Sequence, residues 1–287
     1  MNLKEIKQRI LSVKGTQKIT SAMKLVSAAK LRRAQARIEG MRPYQLKLDA
    51  MLSSFLGSSE SVDSPYIAER EVKRAVVIPI ASDSSLCGSF NSNIIRLANE
   101  VLDGYMAQDA DVEIMPVGRK MRDAIRKRGL DCDEALMEYC SAAEYSPVAN
   151  MAYTLMERFV KGEIDKVELV YTHFHSAAKQ IPVRETFLPI DITGMKGNKQ
   201  LPDDMFIVEP SNDELVSALL PKVIALRLYT AMLDSTAAEH AARMLAMQIA
   251  TDNADDLISE LVLEYNKGRQ QAITNELLDI VSGSVNG

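Results

Sequence analysis

The 287-residue chain is 47% hydrophobic and 25% charged with a formal net charge of −5, the balance of a globular protein and not of a disordered one. No apolar run approaches the ~18 residues that span a bilayer, and the opening MNLKEIKQRI lacks the short apolar block of a secretory signal, which points to the cytosol. Three cysteines (Cys87, Cys132, Cys140) with no CxxC pair argue against a disulfide framework, and 5% aromatics without tryptophan argue against stacking platforms for single-stranded nucleic acid.

The first 56 residues read as one long helix. Leu3, Ile6, Ile10 and Val13 open an apolar stripe spaced by threes and fours, and Ile19, Met23 and Val26 continue it. Leu31, Ala34, Ile38 and Met41 keep the period, and Leu48, Leu52 and Phe55 close it. Gly15 is a weak point of about 1 kcal/mol and no stop. Gly40 and Pro43 are expected to bend or briefly break the helix, since proline removes a hydrogen bond and crowds the preceding turn. At about 1.5 Å per residue, residues 1–56 would span roughly 80 Å.

From Gly57 to Glu69 the chain is small and polar, a linker. The pattern then changes to short apolar runs alternating with helical stretches. Val76 to Ala81 reads as a buried strand, in which Pro79 favours an edge or a bulge. Ser82–Asn91 is a loop, followed by a helix over Asn93–Met106, a strand over Val112–Val117 and a helix from Gly118 to Lys127. Pro147–Val160 is a further amphipathic helix, and Val167–His175 and Ile181–Ile190 are strands. This alternation predicts βαβ units and a mainly parallel sheet over residues 70–209. Asp191–Asp204 is polar and glycine-rich, a surface excursion, and Met205–Val208 a last short strand.

Ser211 and Glu214 form a capping-box pair that starts a return helix at Asn212. Pro221 is expected to kink or restart it. Leu233, Ala237, His240, Met244, Met247, Thr251, Ala254, Ile258, Leu261 and Tyr265 then lie along one stripe as far as about Val281. Ordinary globular helices run about 8–20 residues, so a stripe this long needs a partner of similar length. Residues 1–56 are the available one. They carry twelve Lys/Arg against three Asp/Glu, whereas residues 234–287 carry three against nine, opposite signs that fit a pairing. The expected architecture is α/β: a long antiparallel coiled coil of residues 1–56 and 211–287, with a Rossmann-like α/β domain inserted between its halves. No third helix of this length exists in the sequence, so other subunits are expected around the pair.

Several stretches carry a family resemblance. ITSAMKLVSAAKLRRAQ (Ile19–Gln35), with Thr16-Gln17-Lys18 before it, resembles the N-terminal helix of the gamma subunits of proton-translocating ATP synthases. EHAARMLAMQIATDN (Glu239–Asn253) resembles their C-terminal run, which Tyr265-Asn266-Lys267, Arg269-Gln270, Ala272-Ile273-Thr274, Glu276, Asp279-Ile280 and Gly283 continue. Ser82-Asp83, Leu86-Cys87-Gly88 and Asn91 resemble the family's SDRGLCGxxN loop, except that Ser84 and Ser85 replace the usual Arg-Gly. Asn275 stands where many members have Gln, and Pro79 is unusual.

The resemblance implies a rotating central stalk, non-catalytic, with ATP chemistry on beta subunits. Its helices would sit inside a ring of three alpha and three beta subunits. Its α/β domain would stand on the membrane rotor ring beside the epsilon subunit, at the cytoplasmic face of a bacterial inner membrane. Two other readings of the chain are a stand-alone nucleotide-binding α/β enzyme dimerised through its helices, and a coiled-coil nucleic-acid or scaffold adaptor.

The basic residues Lys24, Lys30, Arg32, Arg33 and Arg37 read alone as a solvated face or a nucleic-acid footprint; the resemblance makes them contacts to acidic loops of the ring and implies no nucleic acid. Met23 beside them is either a helix-packing side chain or one that repacks against changing neighbours. Arg243, Asn266, Arg269 and Asn275 are either a solvated face or, by resemblance, hydrogen-bonding contacts to alpha and beta loops. The Ser82–Asn91 loop lacks GxGxxG and GxxxxGK[ST], which argues against a nucleotide and leaves a strand-to-helix turn. His173 and His175 share a strand face with no third ligand evident, which argues against a metal. Three histidines assemble no catalytic triad, so no catalytic residue, cofactor or metal is expected.

Overall fold

Helix α1 spans Leu3–Ser58 and α5 spans Asn212–Val285 in the computed structural model, which describes residues 2–58, 64–132, 144–191, 209 and 211–285. Between them lie β1 (Arg74–Pro79), α2 (Phe90–Met106), β2 (Asp111–Ile114), α3 (Arg119–Lys127), α4 (Tyr145–Val160), β3 (Lys166–Phe174) and β4 (Gln180–Leu188). The expected strand Met205–Val208, Cys140, residues 59–63 of the linker and the excursion after Asp191 lie outside the described residues. The chain divides into two compact units, Met1–Ala28 with Arg243–Gly287, and Ala29–Ala242.

In the first unit the two helices run antiparallel. Gln17 meets Asp255, Thr20 meets Thr251 and Lys24 meets Gln248, each at 2.8 Å. A side chain added at Gly268 would come within 3.1 Å of Leu3 Cδ2, so glycine there lets Leu3 seat against the facing helix. Ile6, Thr20 and Ser27 are buried on α1, and Met247, Thr251, Ala254 and Leu261 on α5. The α5 stripe read from the sequence is the buried one. On α1 the phase differs: Ile19 and Val26 are 63% and 56% exposed, while Thr20 and Ser27 are buried in their place. The buried positions recur every seven residues, with Leu3, Ile10, Gln17 and Lys24 between them, which is the coiled-coil repeat of 3.5. A count by threes and fours that favours apolar residues drifts one position off that seam.

In the second unit the sheet order is β2-β1-β3-β4, parallel except for the antiparallel β3–β4 pair. Alternation along β1 sends Val76 and Ile78 to one face and Ala75 and Val77 to the other. The first face packs against α4 (Val148, Ala152, Leu155, Phe159), against Leu48 and Leu52 of α1, and against α5 from Val216 to Leu233. The second face is covered by α2 (Ile94, Ala98, Leu102) and α3 (Met121, Ile125).

None of the three prolines ends its element early. Pro79 is neither on an edge nor at a bulge: it is the last residue of a central strand, opposite Val170, and pairing continues past it, with the Ile80 amide donating to the Val170 carbonyl at 2.8 Å and the Ala81 amide to the Val117 carbonyl at 2.9 Å. Pro43 and Pro221 lie inside continuous helices. Pro43 and Glu39, the residue four before it, are both exposed, as is Ser217 four before Pro221. The turn that loses a hydrogen bond therefore starts at a residue in contact with water, and the helix continues past it. Ser211 caps α5 as expected, its hydroxyl accepting the Glu214 amide at 3.2 Å.

Helix α5 also corrects the hydropathy reading, because within Glu214–Leu278 an 18-residue window reaches a mean hydropathy of 1.5. Of that window 61% is buried inside the chain, which fits the core helix of a folded domain.

One buried charge holds the sheet to its covering layer. Glu168 on β3 is 1% exposed and accepts two hydrogen bonds from Arg184, at 2.7 and 2.8 Å, with Lys166 Nζ at 2.9 Å. The Arg184 guanidinium lies 5.7 Å over the Tyr105 ring of α2. Burial pushes the Glu168 carboxyl up, but its bonds to Arg184 and Lys166 outweigh burial and hold it below the usual carboxylate range. A depressed folded pKa stabilises the fold above the ordinary glutamate pKa, and that contribution is lost as pH falls through the folded value.

Arg184→Ala should destabilise the fold by roughly 1–3 kcal/mol at neutral pH, less than a fully buried pair because Arg184 is half-exposed and Lys166 remains. Urea titrations at several pH values should show the wild type losing stability at acid pH, with a smaller loss in the variant. In the first unit, Ala254→Pro, at a buried seam position, should cost at least ~3 kcal/mol, read by thermal melting followed at the helical circular-dichroism band.

Candidate partner interface

Within the first unit the seam consumes one stripe of each helix and leaves the outer faces rich in large apolar side chains. Leu11, Ile19, Leu25 and Val26 on α1 are all more than half exposed, as are Ile249, Leu263, Leu277, Leu278 and Ile280 on α5. Met23 is half-buried, and its carbonyl accepts the Ser27 hydroxyl at 2.8 Å. Lys24 is half-buried and donates to Gln248 Oε1, so this lysine belongs to the seam as much as to a basic face. Arg243 is 8% exposed and engaged within the chain, which removes it from the solvated face. Asn266 and Arg269 are exposed, and exposed Asn275 accepts from Gln271 Nε2 at 3.0 Å. The apolar outer faces were missed in the sequence because Ile19 and Val26 had been assigned to the seam; the seven-residue recurrence of Thr20 and Ser27 is the signal that finds them.

Within the second unit Lys30, Arg32, Arg33 and Arg37 are exposed on α1. They have no hydrogen-bond or ion-pair partner among the described residues. Exposed cations of this kind interact with a partner through long-range attraction and contribute little to the fold itself.

The Ser82–Asn91 loop joins β1 to α2 and is closed by its own polar groups. The Ser82 hydroxyl donates to the Ser84 carbonyl at 2.7 Å, Asn91 Oδ1 accepts the Ser82 amide at 3.1 Å, and Asp83 Oδ1 accepts the Arg119 amide at 3.1 Å. Leu86 and Gly88 hold positive φ of 67° and 60°, which Gly adopts freely and Leu does not. Cys87 and Phe90 pack against Ala238 and Ala242 of α5. The Ser82 and Arg119 amides, which a phosphate-binding loop would present to a ligand, are already used inside the protein. The loop is thus a rigid turn docked on the long helix.

His173 is held by Asp234 of α5, Nδ1 to Oδ2 at 2.5 Å, and the same carboxylate accepts the Phe174 amide at 3.0 Å. His175 is exposed just past the strand. Among the described residues no three His, Cys, Asp or Glu side chains group as metal ligands. An open cleft of about 560 Å³ beside His173 is lined by Glu39, Arg42, Tyr171, Glu185 and Arg227. Its charges pair mostly with one another: Glu185 accepts from Tyr171 and from Arg227, both at 2.9 Å. Cys87 and Cys132 are free thiols, the first buried.

A family model described as ATP synthase matches residues 2–285. An ATP synthase gamma chain of Phocaeicola vulgatus is 50% identical over 288 aligned residues, covering 99% of both chains. That of Flavobacterium johnsoniae is 43% identical, covering 99% of this chain and 98% of its own. Among solved structures, a chain of the Euglena gracilis mitochondrial ATP synthase (OSCP/F1/c-ring) superposes with a TM-score of 0.65 at 20% identity, covering 99% of this chain and 93% of that one. A chain of the Tetrahymena thermophila mitochondrial ATP synthase central stalk and c-ring superposes with a TM-score of 0.55 at 24% identity, covering 81% and 99%. Sequence kinship runs end to end along both long helices and the sheet between them, and this chain belongs to the ATP synthase gamma chain family.

Proposed function

We propose that this chain is the central rotor shaft of a proton-translocating ATP synthase, made of a coiled coil of residues 1–56 and 211–287 around an inserted domain of residues 70–209. The coil turns inside a ring of three alpha and three beta subunits, and the inserted domain couples it to the epsilon subunit and the membrane rotor ring. Catalysis then resides on the beta subunits, and the chain is a peripheral protein at the cytoplasmic face of the inner membrane. The observation that carries this reading is the first unit's helix pair: it buries a single seam and leaves large apolar side chains exposed on both outer faces. Exposed apolar surface of this extent on a soluble element marks a partner interface.

The physical role follows from asymmetry. A shaft shifts the conformations of surrounding subunits only through contacts that differ from one subunit to the next. Two unlike helices, one basic and one acidic, present a different face at each angle of rotation. The cations Lys30, Arg32 and Arg33 supply attraction to acidic loops, Ile19, Leu25 and Ile249 supply apolar contact, and Met23 adapts between them. Asn266, Arg269 and Asn275 supply hydrogen bonds lower on the acidic helix. Arg243, being buried, acts by holding its helix in place and less by direct contact.

Co-purification from native membranes tests the reading: alpha and beta subunits should accompany the chain, and their absence would sink it. Arg32→Glu with Arg33→Glu should weaken attachment to the ring by about tenfold at low ionic strength and less at high salt. The isolated variant should keep its stability within about 0.5 kcal/mol, since both side chains are exposed.

A further inference from the structure

The middle of the coiled-coil seam is polar at a place where an apolar layer would bind more tightly. Gln17, Thr20, Lys24 and Ser27 occupy consecutive seam positions of α1, and three of them reach across to Asp255, Thr251 and Gln248 at 2.8 Å. Apolar layers flank them, with Ile6 toward the α1 N-terminus and Leu31 and Ala34 beyond Ser27. The Thr20 and Thr251 hydroxyls are both buried, and Thr251 also donates to the Met247 carbonyl at 2.8 Å.

Long coiled coils with uniformly apolar seams tolerate sliding by a whole heptad, because each register buries similar side chains. This seam does not. Slid by one heptad, Thr20 faces Met244 in one direction and Ile258 in the other, so its hydroxyl falls back on the Gln17 carbonyl of its own helix, 3.0 Å away, and the cross-helix bond to Thr251 is lost. The native register makes all three cross-helix pairs at once, and each pair lost on sliding forfeits the net worth of a hydrogen bond. We propose that Gln17, Thr20 and Lys24, with Asp255, Thr251 and Gln248, are positioning residues that lock the register of the two helices at a cost in coil stability. One heptad corresponds to about 10 Å along the helix axis. A slipped shaft would thus present its outer-face residues a full turn or more away from their contacts. The bearing of this on coupling rests on the shaft reading above; the register itself is a property of the chain alone.

The experiment measures register directly on the full-length chain, with spin labels carried by unnatural amino acids at the exposed positions Leu11 and Leu263. The native seam should give one narrow distance distribution. Gln17→Leu, Thr20→Val, Lys24→Leu, Gln248→Leu, Thr251→Val and Asp255→Leu together should melt at the same or a higher temperature, yet show a second population displaced by about 10 Å along the axis. The conservative pair Thr20→Ser and Thr251→Ser should keep the single distance, while Thr20→Val with Thr251→Val alone should broaden it, which guards against misfolding of the larger variant. One unchanged distance in both apolar variants would overturn the register role and leave the shaft reading standing. In reconstituted complexes the slipped variant should lose at least half of proton-coupled ATPase activity while still co-purifying with alpha and beta subunits. Full coupling despite slippage would overturn the functional half of the inference, and failure to co-purify with either form of the chain would instead count against the shaft reading.

Discussion

Neither long helix can bury its stripe alone, and the sequence separates the two by the whole sheet domain. A helix of 74 residues has more apolar surface along one stripe than any single domain core can cover. In the first unit the facing helix covers it, side by side from Leu3 at Gly268 to Lys24 at Gln248. In the second unit the same helix changes surroundings: Val216 to Leu233 pack on the sheet beside Leu48 and Leu52 of α1. Alternation of β1 and β3, the capping of α5 by Ser211 and the docking of the Ser82–Asn91 loop on Ala238 and Ala242 all serve that helix. The sheet domain is thus a base into which both helices are packed.

The two kinds of packing use different chemistry. Against the sheet, α5 contributes Ile224, Leu226, Leu228, Met232 and Leu233, all nearly inaccessible, and such burial stabilises through apolar area. Along the coil the side chains are smaller and more polar: Thr251 and Gln248 meet Thr20 and Lys24, and Ala254 and Ser27 are buried on the same seam. Small residues bring helix axes close, and hydroxyl and amide pairs restrict how they can shift. The second unit is thus held mainly by apolar burial, and the first by a shallower seam with specific polar pairs.

Much of this was legible from residue order. The two helix lengths, the α5 stripe, the capping pair and all four described strands follow from periodicity and turn chemistry, because each is a local property. What was not legible needed the third dimension. A brief break at Pro43 or a restart at Pro221 does not occur, because both helices run on through the proline, with exposed residues four positions before it. Ile19 and Val26 were assigned to the seam on hydropathy, whereas the heptad phase, set by Ile6 and Leu31 at its ends, puts Thr20 and Ser27 there. The Glu168–Arg184 pair could not be foreseen, since residues 16 apart meet only after β3 and β4 pair antiparallel.

The contact residues show the same division between what composition reveals and what geometry decides. Lys24 and Lys30 look alike in the sequence, two cations of one basic helix. The structure separates them, with Lys24 drawn into the seam by Gln248 and Lys30 left in solvent. A charge committed to a cross-helix hydrogen bond acts on the relation between the helices, and a free one acts on whatever approaches from outside. Arg243 and Arg269 divide in the same way, the first buried and the second exposed. Nominally similar residues of one motif are therefore placed differently, one set engaged within the chain and the other left in solvent. Substitutions that leave net charge unchanged but move a cation between these two sets should alter the assembly more than substitutions that change the charge of either set alone.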